Sequence, residues 1–430
     1  MRPGPGPAAV TVAIAGIEFG WGSSGKLSAV LTALRERSAR PLRFVGLASG
    51  LGRPLLAGQP VERWYDLPDD PGGARAAVGA VARDEEVRAA LVVLDGAAAK
   101  ALEGAGVPTV FVDSLPFLWT DGDRDALPLE VSAYCAQRCP ELPDACRGVL
   151  DAVRALLWVE AVIGSAGPGP WPQRRHGPRP GGTALVNLGG LRAPGLADWT
   201  RYPGIVVPAA LAALAAYGTR EVHVAGNLPP ELVERQAAMF HVKRAAGAGG
   251  PPMAVTAGPL PHREFLARLA GCEVLLTSPG LTTLLEAGSL GVPTVCLPPQ
   301  NLSQIFNGRF HSRAVGAAVR TTWPASVVSE ETALERRTGG EDAALRVVYD
   351  GIAAAYGDRG AAAGGGPDGP RPEVVAAVRD GILTALRTAG RGADWGGLAR
   401  CVGTGGAAQV ADALLAILTR EPLPAAPARP

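Results

Sequence analysis

At 430 residues, 47% of them hydrophobic and 19% charged, the chain can bury more than one core, and its length favours two domains or more. Its 41 Lys and Arg offset 40 Asp and Glu, which leaves no electrostatic drive toward nucleic acid or an anionic membrane. Six cysteines (Cys135, Cys139, Cys146, Cys272, Cys296, Cys401) are scattered without a disulfide-like framework. Cys135, Cys139 and Cys146 have metal-like spacing, but no histidine lies nearby and the spacing suits one helix face. Met1–Ala9 is Pro/Gly-rich and lacks the apolar core of a secretory signal. The uncharged stretch Tyr202–Thr219 contains Pro203 and Pro208 and reads as a buried helix, not a membrane span. The expectation is a cytoplasmic protein.

In chain order, Val10–Ala15 reads as a buried strand, and Gly16–Lys26 (GIEFGWGSSGK) as a glycine-rich turn leading to a helix at about Lys26–Arg37. Gly20–Lys26 matches the opening of a P-loop, but Leu27 stands where a Ser or Thr must hold Mg²⁺, which argues against an NTPase. A dinucleotide fingerprint fails on spacing. Glu18 is the ionisable group of this turn before Lys26; it serves as an acid or base at a cleft, or pairs with Lys26 or Arg53. Leu42–Leu47 is the next strand, followed by a second glycine turn, Ser49–Arg53. A helical region at about Gly73–Ala90 precedes strands Leu91–Leu94 and Thr109–Val112, which end in Asp95 and Asp113. Ligands of open α/β sheets sit outside the carboxyl ends of strands. Asp113–Trp119 is therefore a candidate ligand wall in which Phe117 and Trp119 offer flat apolar surface, although strand-ending aspartates also cap turns. Predicted helices at Glu130–Arg138 and Asp144–Leu157 complete this half.

Ala166–Gly182, dense in Pro and Gly and carrying Arg174, Arg175 and His176, cannot sustain helix or strand and marks a boundary. The alternation then restarts: strand Ala184–Asn187, turn Gly189-Gly190, helix Pro208–Tyr217, strand Glu221–Ala225, helix Pro230–Phe240, strand Ala254–Thr256. Val274–Leu276 is a buried strand broken by Thr277, Ser278 and Pro279, after which Gly280 opens a helix with Leu281, Leu284, Leu285 and Leu290 at helical spacing. Its N-terminus presents free backbone N–H groups and a positive dipole end, a ready anion site, while Glu286 lies deep enough to reach a neighbouring hydroxyl. Strand Val292–Leu297 and a third element starting near Asn301, which carries Gln304 and Asn307, follow. After Val319 the pattern weakens, with a low-complexity linker at Asp358–Pro372, helices at Glu373–Leu386 and Ala407–Leu418, and a Pro/Ala tail. The expected division is 1–165, a linker 166–182, 183–357, and a linker with terminal helices at 358–430.

Gly280, Thr283 and Glu286, followed by Gly291-Val292-Pro293, Pro298, Gln304 and Asn307, resemble the nucleotide-sugar half-site of GT-B glycosyltransferases that use UDP-sugars, including the peptidoglycan N-acetylglucosaminyltransferase. The resemblance implies an α/β GT-B fold, two Rossmann-like domains facing a central cleft, with nucleotide-sugar in the second and acceptor in the first. It implies that Gly189, Gly190, Leu260, Ser278, Gly280, Leu281, Thr282 and Thr283 surround the nucleotide, that Glu286 holds the ribose hydroxyls, and that Gln304 and Asn307 face the sugar. Ser303 departs from the aspartate often found before that Gln. His262, beside the nucleobase segment Gly258–Pro261, reads as a helix-start or surface residue. Gly20 and Trp21, with Phe117 and Trp119, would meet the acceptor. Where many inverting relatives have a histidine base in the first loop this chain has Glu18, so Glu18, raised in pKa by burial beside Phe19 and Trp21, is the favoured base, with Asp95 and Asp113 as the other acids at strand ends. No DxD-like pair occurs on a loop of the second half, so transfer without metal or further cofactor is expected.

The run IAGIEFGWGSSGKLSAVL, with FVGLASGLGRP and FVDSLPFLW, also resembles the cytosylglucuronate and hydroxymethylcytosylglucuronate synthases of nucleoside-antibiotic pathways. That resemblance implies transfer of glucuronate from UDP-glucuronic acid to cytosine or hydroxymethylcytosine, with Lys26, Arg53 or Arg309 on the sugar carboxylate. Two other classes share the two-domain plan: an enzyme like the UDP-sugar 2-epimerases, acting without an acceptor, and a non-catalytic partner protein that binds a sugar nucleotide. Small-molecule substrates, and neither nucleic acid nor a membrane span, are the expected partners; the oligomeric state stays open.

Overall fold

Apolar, β-branched runs separated by single helices bury both faces of each strand when the strands pair in parallel, and the computed structural model follows that rule twice. It describes residues 9–48, 51–164, 177–190, 199–228, 232, 234, 253–339, 341–356, 369–389 and 392–419. Strands β1 (Val10–Gly16), β2 (Leu42–Leu47), β3 (Val61–Tyr65), β4 (Ala89–Val93), β5 (Thr109–Asp113), β6 (Ala133–Gln137) and β7 (Leu156–Val159) form one parallel sheet in the order β3-β2-β1-β4-β5-β6-β7. Strands β8 (Thr183–Gly189), β9 (Glu221–Gly226), β10 (Ala254–Ala257), β11 (Val274–Thr277) and β12 (Thr294–Cys296) form a second, in the order β10-β9-β8-β11-β12. Strand order reverses at β1/β4 and again at β8/β11, and such switch points open a ligand crevice at the carboxyl ends of the strands.

The helices of the first unit are α1 (Gly22–Arg37), α2 (Arg53–Leu56), α3 (Pro71–Asp84), α4 (Gly96–Gly104) and α5 (Arg147–Asp151). The second unit and the C-terminal segment add α6 (Arg201–Tyr217), α7 (His262–Gly271), α8 (Leu281–Ser289), α9 (Leu302–Val315), α10 (Glu330–Glu335), α11 (Glu341–Ala354), α12 (Pro372–Thr388), α13 (Gly397–Val402) and α14 (Gly406–Thr419). Alternation along β1 divides its side chains between two cores: Val12 and Ile14 pack with Leu27, Val30 and Leu31 of α1, and Ala13 and Ala15 face Val45, Val92 and Phe111 on the other side.

A third cluster joins the units. Phe117, Leu118, Ala161 and Ile163 from the first pack against Leu281, Leu284, Leu285 and Phe310 from the second. The chain then returns to where it began. Gly397–Thr419 is long and apolar enough to cross a bilayer by length and composition, but here it is two helices with Gly403 (φ 80°) between them. Ala161 N donates to Gly403 O and Gly406 N to Ala161 O, both at 3.2 Å, and α14 lies along α1 with Val410, Ala411 and Leu414 in the first core.

Several elements differ from the sequence expectation. The predicted helix Glu130–Arg138 contains strand β6, buried on both faces, and a short apolar run of this kind has no period to separate strand from helix. Cys135 therefore points from a strand, and the helical reading of the cysteines falls. The predicted helix Asp144–Leu157 ends at Asp151, and Leu156 begins β7. β3, sequence VERWY, is a half-exposed strand whose charges hid it. α6 starts at Arg201 and carries Pro208 inside it. Residues Ser49 and Gly50, most of the 166–182 boundary with Arg174, Arg175 and His176, nearly all of the predicted helix Pro230–Phe240, most of 358–372 and the tail lie outside the described residues.

Because Leu414 is fully buried against α1, Leu414→Ala should cost about 2–5 kcal/mol. Urea unfolding checks this; an unchanged midpoint would mean that α14 is not part of the first core.

Candidate functional site

The carboxyl ends of the two sheets meet around a cavity of about 170 Å³, to which Ile17, Leu94 and Ser114 contribute from the first and Gly189, Ser278 and Gln300 from the second. Glycine makes the approach possible. Trp21 lies on Gly190, where an added Cβ would sit 2.2 Å from its Nε1, and a Cβ on Gly20 would sit 3.0 Å from Gly190 O. Gly189 is left-handed (φ 66°), as glycine permits. Asn187 fastens this turn: its Oδ1 accepts from Gly189 N at 3.0 Å, and its Nδ2 donates to Thr283 Oγ1 at 3.1 Å.

The second-domain wall is a hydrogen-bonded frame. Ser278 Oγ lies 2.8 Å from Tyr202 OH and accepts from Gln300 Nε2 at 3.0 Å. Gln304 Oε1 accepts from Gln300 N at 2.8 Å, and Asn301 caps α9 by accepting from Gln304 N at 2.9 Å. Ser303 donates to the same Asn301 oxygen, at 2.8 Å. Asn307, only 1% exposed, lines the cavity with its Oδ1 unpartnered. Leu260, Gly280, Leu281, Thr282 and Thr283 also line it.

Charge gathers at the back of this cavity. Glu286 Oε1 lies 2.7 Å from His262 Nε2 and accepts a long 3.4 Å bond from Gly164 N, which is contributed by the first unit. His262 does start a helix, but it is buried and not at the surface; a Cβ on Gly164 would lie 2.6 Å from its Cε1. Burial pulls the His262 pKa down, and the Glu286 charge and hydrogen bond outweigh it, so the net direction is up. Lys26, fully buried, donates to Thr282 Oγ1. Burial lowers its pKa to about 8, against the opposing charges of Glu286 and Asp113.

Several residues sit elsewhere than expected. Asp113 is fully buried: Oδ1 accepts from Leu115 N at 2.8 Å, and Oδ2 from Trp119 Nε1 at 3.0 Å and Tyr134 OH at 2.9 Å. Phe117 is not a wall but part of the interdomain core, with ring centroids 5.7 Å and 5.2 Å from those of Phe306 and Phe310. Arg53 pairs with Asp66 and lies over Trp64, and Arg309 pairs with Glu330 at 3.0 Å; neither lines the cavity. These placements depend on neighbours across the fold, which have no local signature in the sequence.

A second cavity, about 800 Å³, opens in the first unit beneath α3 and α4 and shares Ile17, Phe19, Leu94, Leu115 and Ser303 with the first. Trp119 and Asp95 line it. Asp95 caps α4 by accepting from Ala98 N at 2.9 Å, and its pKa is raised chiefly by burial, with Glu18 adding to the rise. The preceding Leu94 has φ 60°, a strained geometry for a branched residue. Glu18 is half-buried and lines neither of these two cavities, in contrast to the buried position expected beside Phe19 and Trp21. Sequence reasoning also missed His262, Asn187 and Gln300 as cavity residues; Asn187 had a local signal, the glycine pair that follows it. Among the described residues no group of three His, Cys, Asp or Glu is placed to hold a metal ion.

Desolvation raises the Asp113 pKa from 3.8 to about 6, offset in part by its donors and by Lys26. A carboxyl raised in this way stabilises the fold fully below its unfolded pKa and loses that contribution as pH rises through the folded one. Between about pH 4 and just above 6, the wild type should therefore lose about 3 kcal/mol relative to Asp113→Asn. Urea midpoints of both proteins across this range test it, and parallel curves would assign the titration to another group.

No protein-family model and no curated protein matches the chain. Among solved structures, a UDP-glucosyltransferase from Polygonum tinctorium capable of glucosylating indoxyl, in complex with 3,4-dichloroaniline, is similar over 96% of this chain and 99% of its own, at 14% identity and a TM-score of 0.51. Acinetobacter baumannii MurG covers 87% and 99% of the two chains at 16% identity and a TM-score of 0.45. A Listeria monocytogenes protein assigned as a UDP-N-acetylglucosamine 2-epimerase covers 81% and 94% at 14% identity and 0.47. With two parallel-sheet α/β domains facing a central cleft and an end-to-end match to the first of these, the chain has the GT-B fold.

Proposed function

We propose that this protein transfers a sugar from a UDP-sugar to a small acceptor by direct displacement at the anomeric carbon. The observation that carries the reading is the lining of the smaller cavity. The start of α8, the Gly189-Gly190 turn, the buried Glu286 and the unpartnered Asn307 oxygen converge where both sheets reverse their strand order. In this reading, backbone N–H groups at the start of α8 meet the diphosphate, and Glu286 accepts from the ribose hydroxyls while His262 holds its other oxygen. Asn307 Oδ1 accepts from a sugar hydroxyl, the donor it lacks within the protein.

The acceptor occupies the adjoining larger cavity. Its proton passes to a carboxylate as the new bond forms. Asp95 lines that cavity, whereas both Asp113 oxygens are engaged by donors and Glu18 lies off the lining, so Asp95 takes the role of base. The finer reading, glucuronate moved to cytosine or hydroxymethylcytosine, rests on the resemblance of the opening segment. Of the three cations considered for a sugar carboxylate, Lys26 faces the cavity. The larger cavity has room for more than one pyrimidine ring, toward the upper end of the roughly 300–1,000 Å³ of ligand pockets. Larger aromatic alcohols and amines therefore belong in the acceptor panel.

Incubation with UDP-glucuronate, UDP-glucose and UDP-N-acetylglucosamine, with and without acceptors, followed by mass analysis, tests the reading. A glycosylated acceptor is expected. Free or epimerised sugar formed without acceptor would make the protein epimerase-like, and UDP binding with no product would make it a binding protein. Transfer should survive EDTA. Glu286→Ala should weaken UDP binding by about 1.5–3 kcal/mol, read by calorimetry. Asp95→Asn should lower turnover about 10²–10⁴-fold with UDP affinity kept, and Glu18→Gln should not. The opposite ranking would return the base to the first loop.

A further inference from the structure

Lys26 is a buried cation without a buried anion bonded to it. The residue is 2% exposed, its ammonium donates to the neutral Thr282 hydroxyl, and among the described residues it makes no ion pair. The nearby carboxylates are committed elsewhere: Glu286 Oε1 to His262 and Gly164 N, and both Asp113 oxygens to Leu115 N, Trp119 and Tyr134. Burying an ammonium against a hydroxyl is costly unless an anion completes the site. The place is also specific. Lys26 belongs to the first turns of α1, Thr282 to the first turn of α8, and the two helix starts touch across the cleft: a Cβ on Gly22 would lie 3.4 Å from Thr282 Oγ1, and one on Gly25 3.5 Å from its Cγ2. Both elements border the same cavity.

We propose that Lys26 is a catalytic residue which meets the departing diphosphate from the first domain. The proposal rests on the transferase reading above. In the transfer step the acceptor's lone pair bonds to the anomeric carbon and its proton passes to Asp95. The electron pair of the breaking C1–O bond stays on the β-phosphate oxygen, so UDP leaves with one more negative charge than it carried in the donor. The Lys26 ammonium lies beside the helix start that receives this charge, and the two together balance it. Lys26 is supplied by one domain and the α8 N–H groups by the other, so stabilisation is complete only when the domains are closed. Burial brings Lys26 to a pKa of about 8, against the pull of Glu286 and Asp113 toward the cation, which keeps it charged at neutral pH. This role differs from that of a sugar-carboxylate partner, which would act on acidic sugars alone.

Kinetics of Lys26→Met and Lys26→Arg with UDP-glucuronate and UDP-glucose, together with calorimetric UDP binding, decide between these roles. Lys26→Met should lower kcat about 10²–10³-fold with every UDP-sugar the wild type uses, change donor KM less than about 3-fold, and weaken UDP about 10-fold or more; Lys26→Arg should recover part of kcat. Loss confined to UDP-glucuronate would overturn the proposal in favour of a carboxylate partner, and a raised KM with unchanged kcat would reduce Lys26 to ground-state binding. If Lys26→Met fails to fold, the Lys26→Arg and Lys26→Gln pair carries the same comparison. A wild type that binds UDP but transfers no sugar refutes the transferase reading; UDP affinity unchanged in Lys26→Met would then separately refute contact between Lys26 and the diphosphate.

Discussion

Two helix starts, α1 and α8, touch across the cleft of this protein, and most of its other features follow from that contact. Glycine at Gly20, Gly22, Gly25 and Gly190 lets the two domains approach closely there. Trp21 can lie on Gly190, and Gly20 can approach the Gly190 carbonyl, because neither position carries a Cβ. The positive ends of two helices then lie close together with a lysine beside them, an arrangement that is unfavourable until negative charge arrives.

The apolar contact between the units provides the counterweight. Phe117, Leu118, Ala161 and Ile163 bury surface against α8 and α9, and α13 and α14 extend the contact until the chain lies against α1. Arg337 strengthens the same seam by donating to Phe117 O at 2.6 Å and to Cys146 Sγ at 2.7 Å. Since buried apolar area contributes roughly 25 cal/mol per Å², a seam of this kind can hold like-signed helix ends together.

The buried ionisable groups form an ordered set around that contact. Asp113 has its donors, Glu286 has His262, and Lys26 has only a hydroxyl. Asp95, by contrast, keeps one oxygen on the cap of α4 and faces the larger cavity. Three carboxylates thus have different surroundings: saturated, ion-paired, and facing a cavity. In this set the environment, not the residue type, distinguishes the three acids.

The sequence by itself determined the alternation of strand and helix, the restart after the Pro/Gly-rich boundary, and the strand–turn–helix at Val274–Glu286. Those features depend on local period and on turn residues, which act within a few positions of one another. Tertiary structure alone decided which acid faces a cavity, that His262 is buried on Glu286, that Phe117 joins domains, and that Ala133–Gln137 is a strand. It also brought Lys26 to Thr282, 256 residues away. No pattern within either segment encodes that meeting, because its partners are chosen by how two separately folded sheets and a returning C-terminal helix pack, and burial sets the charge of each group only once that packing is complete.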